Sequence, residues 1–176
     1  GWCASGSRDY QMWAALFLQN GPRKWISCAG LGTLGYGMPA ALGVQMGVGD
    51  NQVICISGDA SFQMNLQELA TLAQYNIRVK TVIINNGWQG MVRQWQQGFY
   101  GERYASSNME VGMPAFEKLA EAFGVKGMVP PGKNNSQMIG LAEPVTKRSV
   151  EVVHCSSCGS DNKATHRFCS ECGTKL

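Results

Sequence analysis

Gly58-Asp59-Ala60-Ser61 and, one helix-and-strand length further on, Asn85-Asn86 are the stretches that decide the fold. Each closes a short β-branched run, Val53-Ile54-Cys55-Ile56 before the first and Val79-Lys80-Thr81-Val82-Ile83-Ile84 before the second. Between them Phe62, Leu66, Leu69 and Ala73 recur at spacings of four, three and four, one face of a helix. Strand, tight turn, helix and strand make a βαβ crossover, which forces its two strands parallel in one sheet. Asp59 and Asn86 then both sit at carboxyl ends of strands, the edge where open α/β sheets bind ligands. A carboxylate and a carboxamide oxygen converging there suit Mg2+, which takes a few hard oxygen ligands plus substrate phosphates. A plainer reading stands beside it. An Asp after a strand also forms turns or caps helices, and Ser61 caps a helix equally well.

Upstream, Trp25-Ile26 reads as a short strand running into Gly30, Gly32 and Gly35, a G-x-G-x-x-G pattern, with Pro39 at the first turn of the next helix. As a dinucleotide fingerprint the pattern is incomplete, because the strand is short and no acidic residue ends a strand at the expected distance. Glycines that merely allow close helix–sheet packing are the alternative. Met12, Trp13 and Leu16 fall on a short helical pattern that Gly21-Pro22 ends. Downstream, Met91 and Trp95 lie one helical turn apart. Core packing and a place beside a pocket are both open to them.

Gly-Asp-(Gly/Ala)-Ser, a crossover helix and Asn-Asn resemble the thiamine-diphosphate motif. Gln11-Met12-Trp13-Ala14-Ala15, the glycine stretch Gly30-Leu31-Gly32-Thr33-Leu34-Gly35-Tyr36-Gly37-Met38-Pro39 and Gln89-Gly90-Met91-Val92-Arg93-Gln94-Trp95-Gln96 resemble the C-terminal domain of acetolactate synthase large subunits. The likeness covers residues 11 to about 127. It implies an α/β fold with a doubly wound parallel sheet. It implies cofactor contacts from Gly32, Leu34, Gly58, Asp59, Ala60, Ser61, Asn86, Trp88, Gln89, Gly90 and Met91. The backbone at Gly32 would meet the aminopyrimidine, and Leu34, of similar volume to the Met of many relatives, would wedge between the two rings. Mg2+ would be held by Asp59, Asn86 and the main-chain carbonyl of Trp88, with Met91 and Trp95 beside the substrate pocket.

The resemblance also implies a reaction. Relatives decarboxylate pyruvate and join the product to a second 2-oxo acid on the path to branched-chain amino acids; the protein supplies orientation and electrostatics to the cofactor's own chemistry. They carry the glutamate that activates the aminopyrimidine in an earlier domain and bind FAD in a middle one, and this chain has neither. No catalytic residue is therefore expected here, and the chain alone is expected to be inactive. A homodimer or higher homo-oligomer, a regulatory subunit as a further partner and a cytoplasmic location follow from the same likeness. A shortened, non-catalytic relative acting as a binding or regulatory module through its C-terminal tail is the alternative.

Beyond Gly127 the pattern departs from the family. Met128-Val129-Pro130-Pro131-Gly132 and Ser136-Gln137-Met138-Ile139-Gly140 resemble the extreme C-terminal tail of these enzymes, which folds over the active site. The helix and last parallel strand that normally come between are missing, which predicts an unpaired sheet edge. Arg8-Asp9-Tyr10-Gln11 stands where relatives present Gly-Gln-His-Gln to the diphosphate; Asp9 would repel that group and Arg8 attract it.

Cys155-Ser156-Ser157-Cys158 and Cys169-Ser170-Glu171-Cys172 are two C-x-x-C knuckles separated by ten residues, each followed by a glycine. Thiolates at that spacing converge tetrahedrally on Zn2+. Two disulfides are the competing explanation, against which stands the absence of any mark of secretion. His154 and His166 read as exposed loop residues, and Cys3, Cys28 and Cys55 as plain thiols.

The chain has 176 residues, enough for one α/β domain and a small appendage. The expected organisation is a thiamine-diphosphate-binding domain over 1–143, a linker over 144–150 and a zinc ribbon over 151–176. A net charge of +3 does not argue for nucleic acid or membrane. In the tail, Lys147, Arg148, Lys163, Arg167 and Lys175 exceed Glu151, Asp161 and Glu171 by two charges, which four thiolates around one Zn2+ cancel. With Phe168 as the only stacking ring there, nucleic-acid binding is not expected. No apolar run is long enough to span a bilayer. Gly1-Trp2-Cys3-Ala4-Ser5 lacks the regions of a signal peptide, and a start at Gly rather than Met reads as a fragment or a processed product.

Overall fold

The two β-branched runs form neighbouring parallel strands, β3 (Val53–Gly58) and β4 (Val79–Asn85), with Val53 opposite Val79 and Gly58 opposite Ile84. That register brings their carboxyl ends level, so Asp59 and Asn86 leave the sheet at the same edge. The computed structural model describes residues 1–5, 14–16, 21–129, 137–144, 152–163 and 168–175, with backbone alone for 137–144, 152 and 163. It divides into two compact units, Gly1–Val145 and Thr146–Leu176.

In the first unit, β1 (Trp2–Ser5) and β2 (Trp25–Ser27) precede α1 (Gly37–Val48). The crossover from β3 to β4 runs through α2 (Asp59–Gln63) and α3 (Glu68–Tyr75), and β4 leads into α4 (Gly90–Phe99). A 3-10 turn (Glu110–Gly112), α5 (Phe116–Ala122), β5 (Val125–Met128) and β6 (Gln137–Pro144) complete it. The sheet order is β2-β1-β3-β4-β6-β5. β1 is parallel to both β2 and β3. The stretch from Trp2 to Ser5, which carries no strand signal beyond its shortness and small residues, thus occupies an interior position in the sheet.

The α/β fold expected from the sequence is present, with one departure from an all-parallel sheet. β6 lies between β4 and β5 and is antiparallel to both. Residues 137–144, expected as part of a tail over the active site, are a strand against β4. They cover the edge that a lost strand would have left unpaired, which satisfies β4 backbone groups that would otherwise recruit another chain. β5 in turn lies hard against α5. A Cβ on Gly127 would come within 2.6 Å of the Glu117 backbone, so only glycine permits that approach.

The helical face read between the strands is real but broken. Phe62 and Leu69 are fully buried, with Leu66 and Ala73 packed against the same cluster. The break falls at Asn65, whose Nδ2 donates to the Gly35 carbonyl at 2.9 Å, so a tertiary contact replaces helix continuity there. Phe62 meets Phe116 edge to face, with centroids 5.7 Å apart. Met38, Val53, Ile83 and Leu72 fill the core around them. At roughly 1.5–3 kcal/mol for each large apolar side chain, this cluster is what holds the strand ends in place. No described helix is long and apolar enough to cross a membrane.

The second unit contains a hairpin of β7 (Val152–His154) and β8 (Asp161–Lys163), antiparallel, with His154 opposite Asp161. His154 is exposed as expected, but on a strand rather than a loop, and its Nδ1 lies 2.5 Å from Asp161 Oδ1. His166, Lys147, Arg148 and the 145–150 part of the expected linker lie outside the described residues, as do Arg8-Asp9-Tyr10-Gln11, Met12, Trp13 and Pro130-Pro131-Gly132.

Candidate functional site

Gly58 is extended, at φ −80° and ψ 160°, and the chain turns at once into α2, so Asp59 opens that helix with its side chain inside the sheet edge. Its carboxylate is 2% exposed. Oδ1 accepts from the Ala60 N–H at 2.7 Å and Oδ2 from the Gly87 N–H at 2.8 Å. The second bond ties the end of β3 to the turn after β4. Burial pushes the Asp59 carboxyl above the usual carboxylate range, opposed by the backbone N–H groups of Ala60, Gly87 and Asn86. A buried anion whose partners are neutral amides is better stabilised by a cation than by anything now touching it.

Asn86 is exposed, and its Oδ1 accepts from the Trp88 N–H at 3.0 Å. Asn85 Oδ1 accepts from the same Gly87 N–H, at 3.2 Å. The turn is locked from outside by residues 107–109: Gln89 N–H donates to Ser107 O and Met109 N–H to Gly87 O. That bridge uses the groups on either side of Trp88 and leaves the Trp88 carbonyl out. Gly87 has φ +69°, and a Cβ there would meet Glu110 Cγ at 2.6 Å.

Ser61 caps no helix. Its Oγ accepts from the Gly35 N–H at 3.0 Å, while Asn65 holds the Gly35 carbonyl. With φ +82° and no room for a Cβ beside Asn65 Nδ2, Gly35 is a glycine by necessity. The glycine loop is therefore joined to the Gly58-Asp59-Ala60-Ser61 turn, which brings Gly32 and Leu34 to the same end of the sheet. Gly32 is exposed, at φ +64°, and Leu34 is half-buried.

Gln89 precedes α4, and Gly90 and Met91 are its first residues. The helix buries none of its side chains. Trp95 is largely exposed and stacks with Phe99, at 5.3 Å between centroids, rather than entering the core. Around Trp88 a cleft of about 710 Å³ is lined by Asn86, Gly87, Trp88, Arg93, Glu110 and Glu117, among others, and not by Met91 or Trp95. The Arg93 guanidinium sits 4.1 Å over the Trp88 ring, and Tyr104 packs edge to face on that ring at 5.5 Å. Sequence reading assigned no role to Arg93, Tyr104 or Asn65. The contacts join residues across an irregular loop, which no periodicity announces.

In the second unit the sulfurs of Cys155, Cys158, Cys169 and Cys172 all lie within 4.8 Å of one another. Cys155–Cys172 and Cys158–Cys169 are each 3.6 Å apart, too long for a disulfide and close to the ~3.8 Å edge of a tetrahedron with 2.3 Å zinc–sulfur bonds. The donor set fits Zn2+. The Ser160 hydroxyl, followed by backbone N–H groups of the second knuckle, holds the Cys169 thiol down at about 5. Thr174 lowers Cys172 in the same way. Cys155 of the same cluster is raised to about 11; Cys3 and Cys55 are pushed up by burial to about 11 and about 12.

Residues 8–153 match the thiamine pyrophosphate enzyme family, C-terminal TPP binding domain, and residues 154–176 a zinc-ribbon domain. The chain is 48% identical over 205 residues to the acetolactate synthase large subunit of Parasynechococcus marenigrum (strain WH8102), covering 96% of this chain and 33% of that protein. It is 51% identical over 173 residues to that of Porphyra purpurea, covering 77% of this chain and 29% of the relative. An acetolactate synthase of Arthrospira platensis is 58% identical over 120 residues, 68% of this chain and 21% of that protein. The chain thus spans a third or less of the length of these curated relatives. The alignment with the Parasynechococcus protein, at 205 positions, is longer than the 176 residues of the chain, so that relative has internal residues this chain lacks. Coverage of 96% also carries that match into the ribbon.

Proposed function

The chain belongs to the thiamine pyrophosphate enzymes, through their C-terminal TPP-binding domain, and on that premise we propose that it is the diphosphate-holding part of an acetolactate synthase large subunit. The observation that carries the reading is the buried Asp59 carboxylate, clamped by Ala60 and Gly87 at the ligand edge of β3 and β4 with no positive partner among the described residues. Asp59 would supply the charged ligand to Mg2+, with the Asn86 carboxamide oxygen and the Trp88 carbonyl completing the protein's share. Gly58, Ala60, Ser61, Gln89 and Gly90 would surround the diphosphate. Gly32 and Leu34 would reach the rings, and Met91 and Trp95 would stand by the substrate.

When bound, the cofactor supplies the carbanion chemistry for decarboxylating a 2-oxo acid and joining it to another. The residues here bind and orient. Ser61 and Asn65 bond the glycine loop to the turn, and residues 107–109 brace the 87–89 backbone, so the proposed site would be positioned before any ligand arrives. The activating glutamate and the FAD site belong to other parts of the full-length relatives. The transferase activity of branched-chain amino-acid biosynthesis, a homo-oligomeric assembly with a regulatory subunit and a cytoplasmic location are part of the same proposal. The ribbon is read as holding one Zn2+.

Given pyruvate, thiamine diphosphate, Mg2+ and FAD, the chain by itself should form no acetolactate above a blank. Asp59 is read as a metal ligand and Glu68 lies in α3; Glu110 and Glu117, which line the cleft with Asn86 and Trp88, are the described carboxylates that turnover would implicate. Turnover that disappears in Asp59→Ala would overturn that part of the reading. Asn86→Ala should weaken cofactor binding less than Asp59→Ala, since a neutral carboxamide gives a cation less than a carboxylate does.

A further inference from the structure

The two knuckles of the ribbon are near copies of each other. Cys155 N–H donates to Ser160 O at 2.9 Å and Cys169 N–H to Thr174 O at 2.7 Å. Gly159 N–H returns to Cys155 O and Gly173 N–H to Cys169 O. Each knuckle also sets a hydroxyl beside its second cysteine, Ser160 at 3.0 Å from Cys158 Sγ and Thr174 at 3.2 Å from Cys172 Sγ. Nothing in these contacts joins one knuckle to the other.

The symmetry ends at Asn162. Among the described residues of the ribbon only Cys155, Cys169 and Asn162 are buried, and Asn162 is 4% exposed. It belongs to β8, on the first knuckle's hairpin, and its side chain reaches the second with both ends while Nδ2 also bonds its own knuckle. Nδ2 donates to Ser160 O at 3.0 Å and lies 3.4 Å from Cys169 Sγ. Oδ1 accepts from the Ser170 N–H at 2.9 Å and from the Ser170 hydroxyl at 3.1 Å. The Ser160 hydroxyl, 3.0 Å from Cys169 Sγ, reinforces the same crossing.

We propose that Asn162 is the positioning residue of the zinc site, the strut that holds the second knuckle at ligating distance from the first and gives the Cys169 sulfur an N–H donor. The inference rests on the zinc reading of the four cysteines. Among the described ribbon residues no apolar side chain other than Cys155 and Cys169 is buried to fix the relative placement of the knuckles, so a buried, fully bonded carboxamide takes that part. Its donor half faces a sulfur that must carry charge when metal is bound, and donors to thiolates stabilise them there. Its acceptor half fixes the backbone that presents Cys169. Partners of this kind typically change metal affinity 10- to 100-fold.

The test uses the full chain loaded with Zn2+, with release to a chromophoric chelator as one readout and the thiolate-to-metal charge-transfer band of the Co2+-substituted protein as the other. Asn162→Ala should release zinc roughly 10- to 100-fold faster than the parent chain. Asn162→Asp keeps an acceptor for Ser170 but has no N–H for Cys169; it should fail to restore slow release and should shift the cobalt band. Ser170→Ala, which loses only the hydroxyl contact, should release zinc like the parent. Should Asn162→Ala not fold, the Asn162→Asp and Ser170→Ala pair carries the comparison. Parent-like release and an unshifted band in Asn162→Asp would overturn the proposal, leaving Asn162 as a tether for Ser170 alone. A parent chain that takes up no Zn2+ would instead remove the zinc reading on which it stands.

Discussion

Asp59 reaches its place because the strands beside it are anchored by Val53, Cys55, Val79 and Ile83, all buried, whereas among the described ribbon residues no apolar side chain other than the cysteines is buried. In the α/β unit a buried apolar core fixes the sheet edge that presents the candidate ligands. Among the described ribbon residues Cys155, Cys169 and Asn162 are what is buried, with Cys158 and Cys172 exposed. The first arrangement should keep its fold without the proposed Mg2+. The second should lose its fold with its metal, because ligation supplies ~10–16 kcal/mol of apparent folding free energy in domains of this size.

The largest expected effect separates the units outright. Cys169→Ser, or a strong chelator on the parent chain, should abolish the ordered signals of residues 152–163 and 168–175 while those of the α/β unit stay unchanged by amide exchange. Elemental analysis of the parent purified without added metal should give one zinc per chain. Equal zinc in Cys169→Ser would break the four-cysteine assignment.

A smaller effect belongs to the backbone of the other unit. Gly35→Ala puts a Cβ on a residue at φ +82° and 2.7 Å from Asn65 Nδ2. A loss of about 1–3 kcal/mol in urea unfolding of the α/β unit is expected, with zinc content untouched. A change within experimental scatter would mean that the link between the glycine loop and the Asp59 turn is looser than described.

The smallest effect is a slope. Burial raises the Asp59 carboxyl above its ordinary value of 3.8 in the folded chain. A raised acid contributes stability that is complete below the unfolded value and is lost as pH rises through the folded one. The metal-free α/β unit should therefore lose stability over that interval, and Mg2+ with thiamine diphosphate should flatten the loss. A slope of opposite sign would show Asp59 already compensated without metal.

The same contrast explains what could be read from residues alone. The β3–α2–α3–β4 crossover and the cysteine knuckles were legible, because one rests on periodicity and the other on spacing. Trp2–Ser5 was not, since four small or mixed residues carry no alternation, and only pairing with both β2 and β3 makes them a strand. The antiparallel β6 was not, because its place is set by pairing with β4, far upstream in the chain, and with β5, rather than by any local pattern. In the site, Asp59 and Asn86 followed from strand ends, while the Arg93–Trp88–Tyr104 stack and the Asn65 bond to Gly35 arise from loop geometry.

Calorimetric titration of the chain with thiamine diphosphate, in Mg2+ and again in EDTA, tests the central claim most directly. Binding should be weak, present with Mg2+, absent in EDTA, and lost in Asp59→Ala with the zinc content unchanged. Tight binding in EDTA, or binding that Asp59→Ala leaves intact, would contradict the placement of the diphosphate site at the carboxyl edge of β3 and β4.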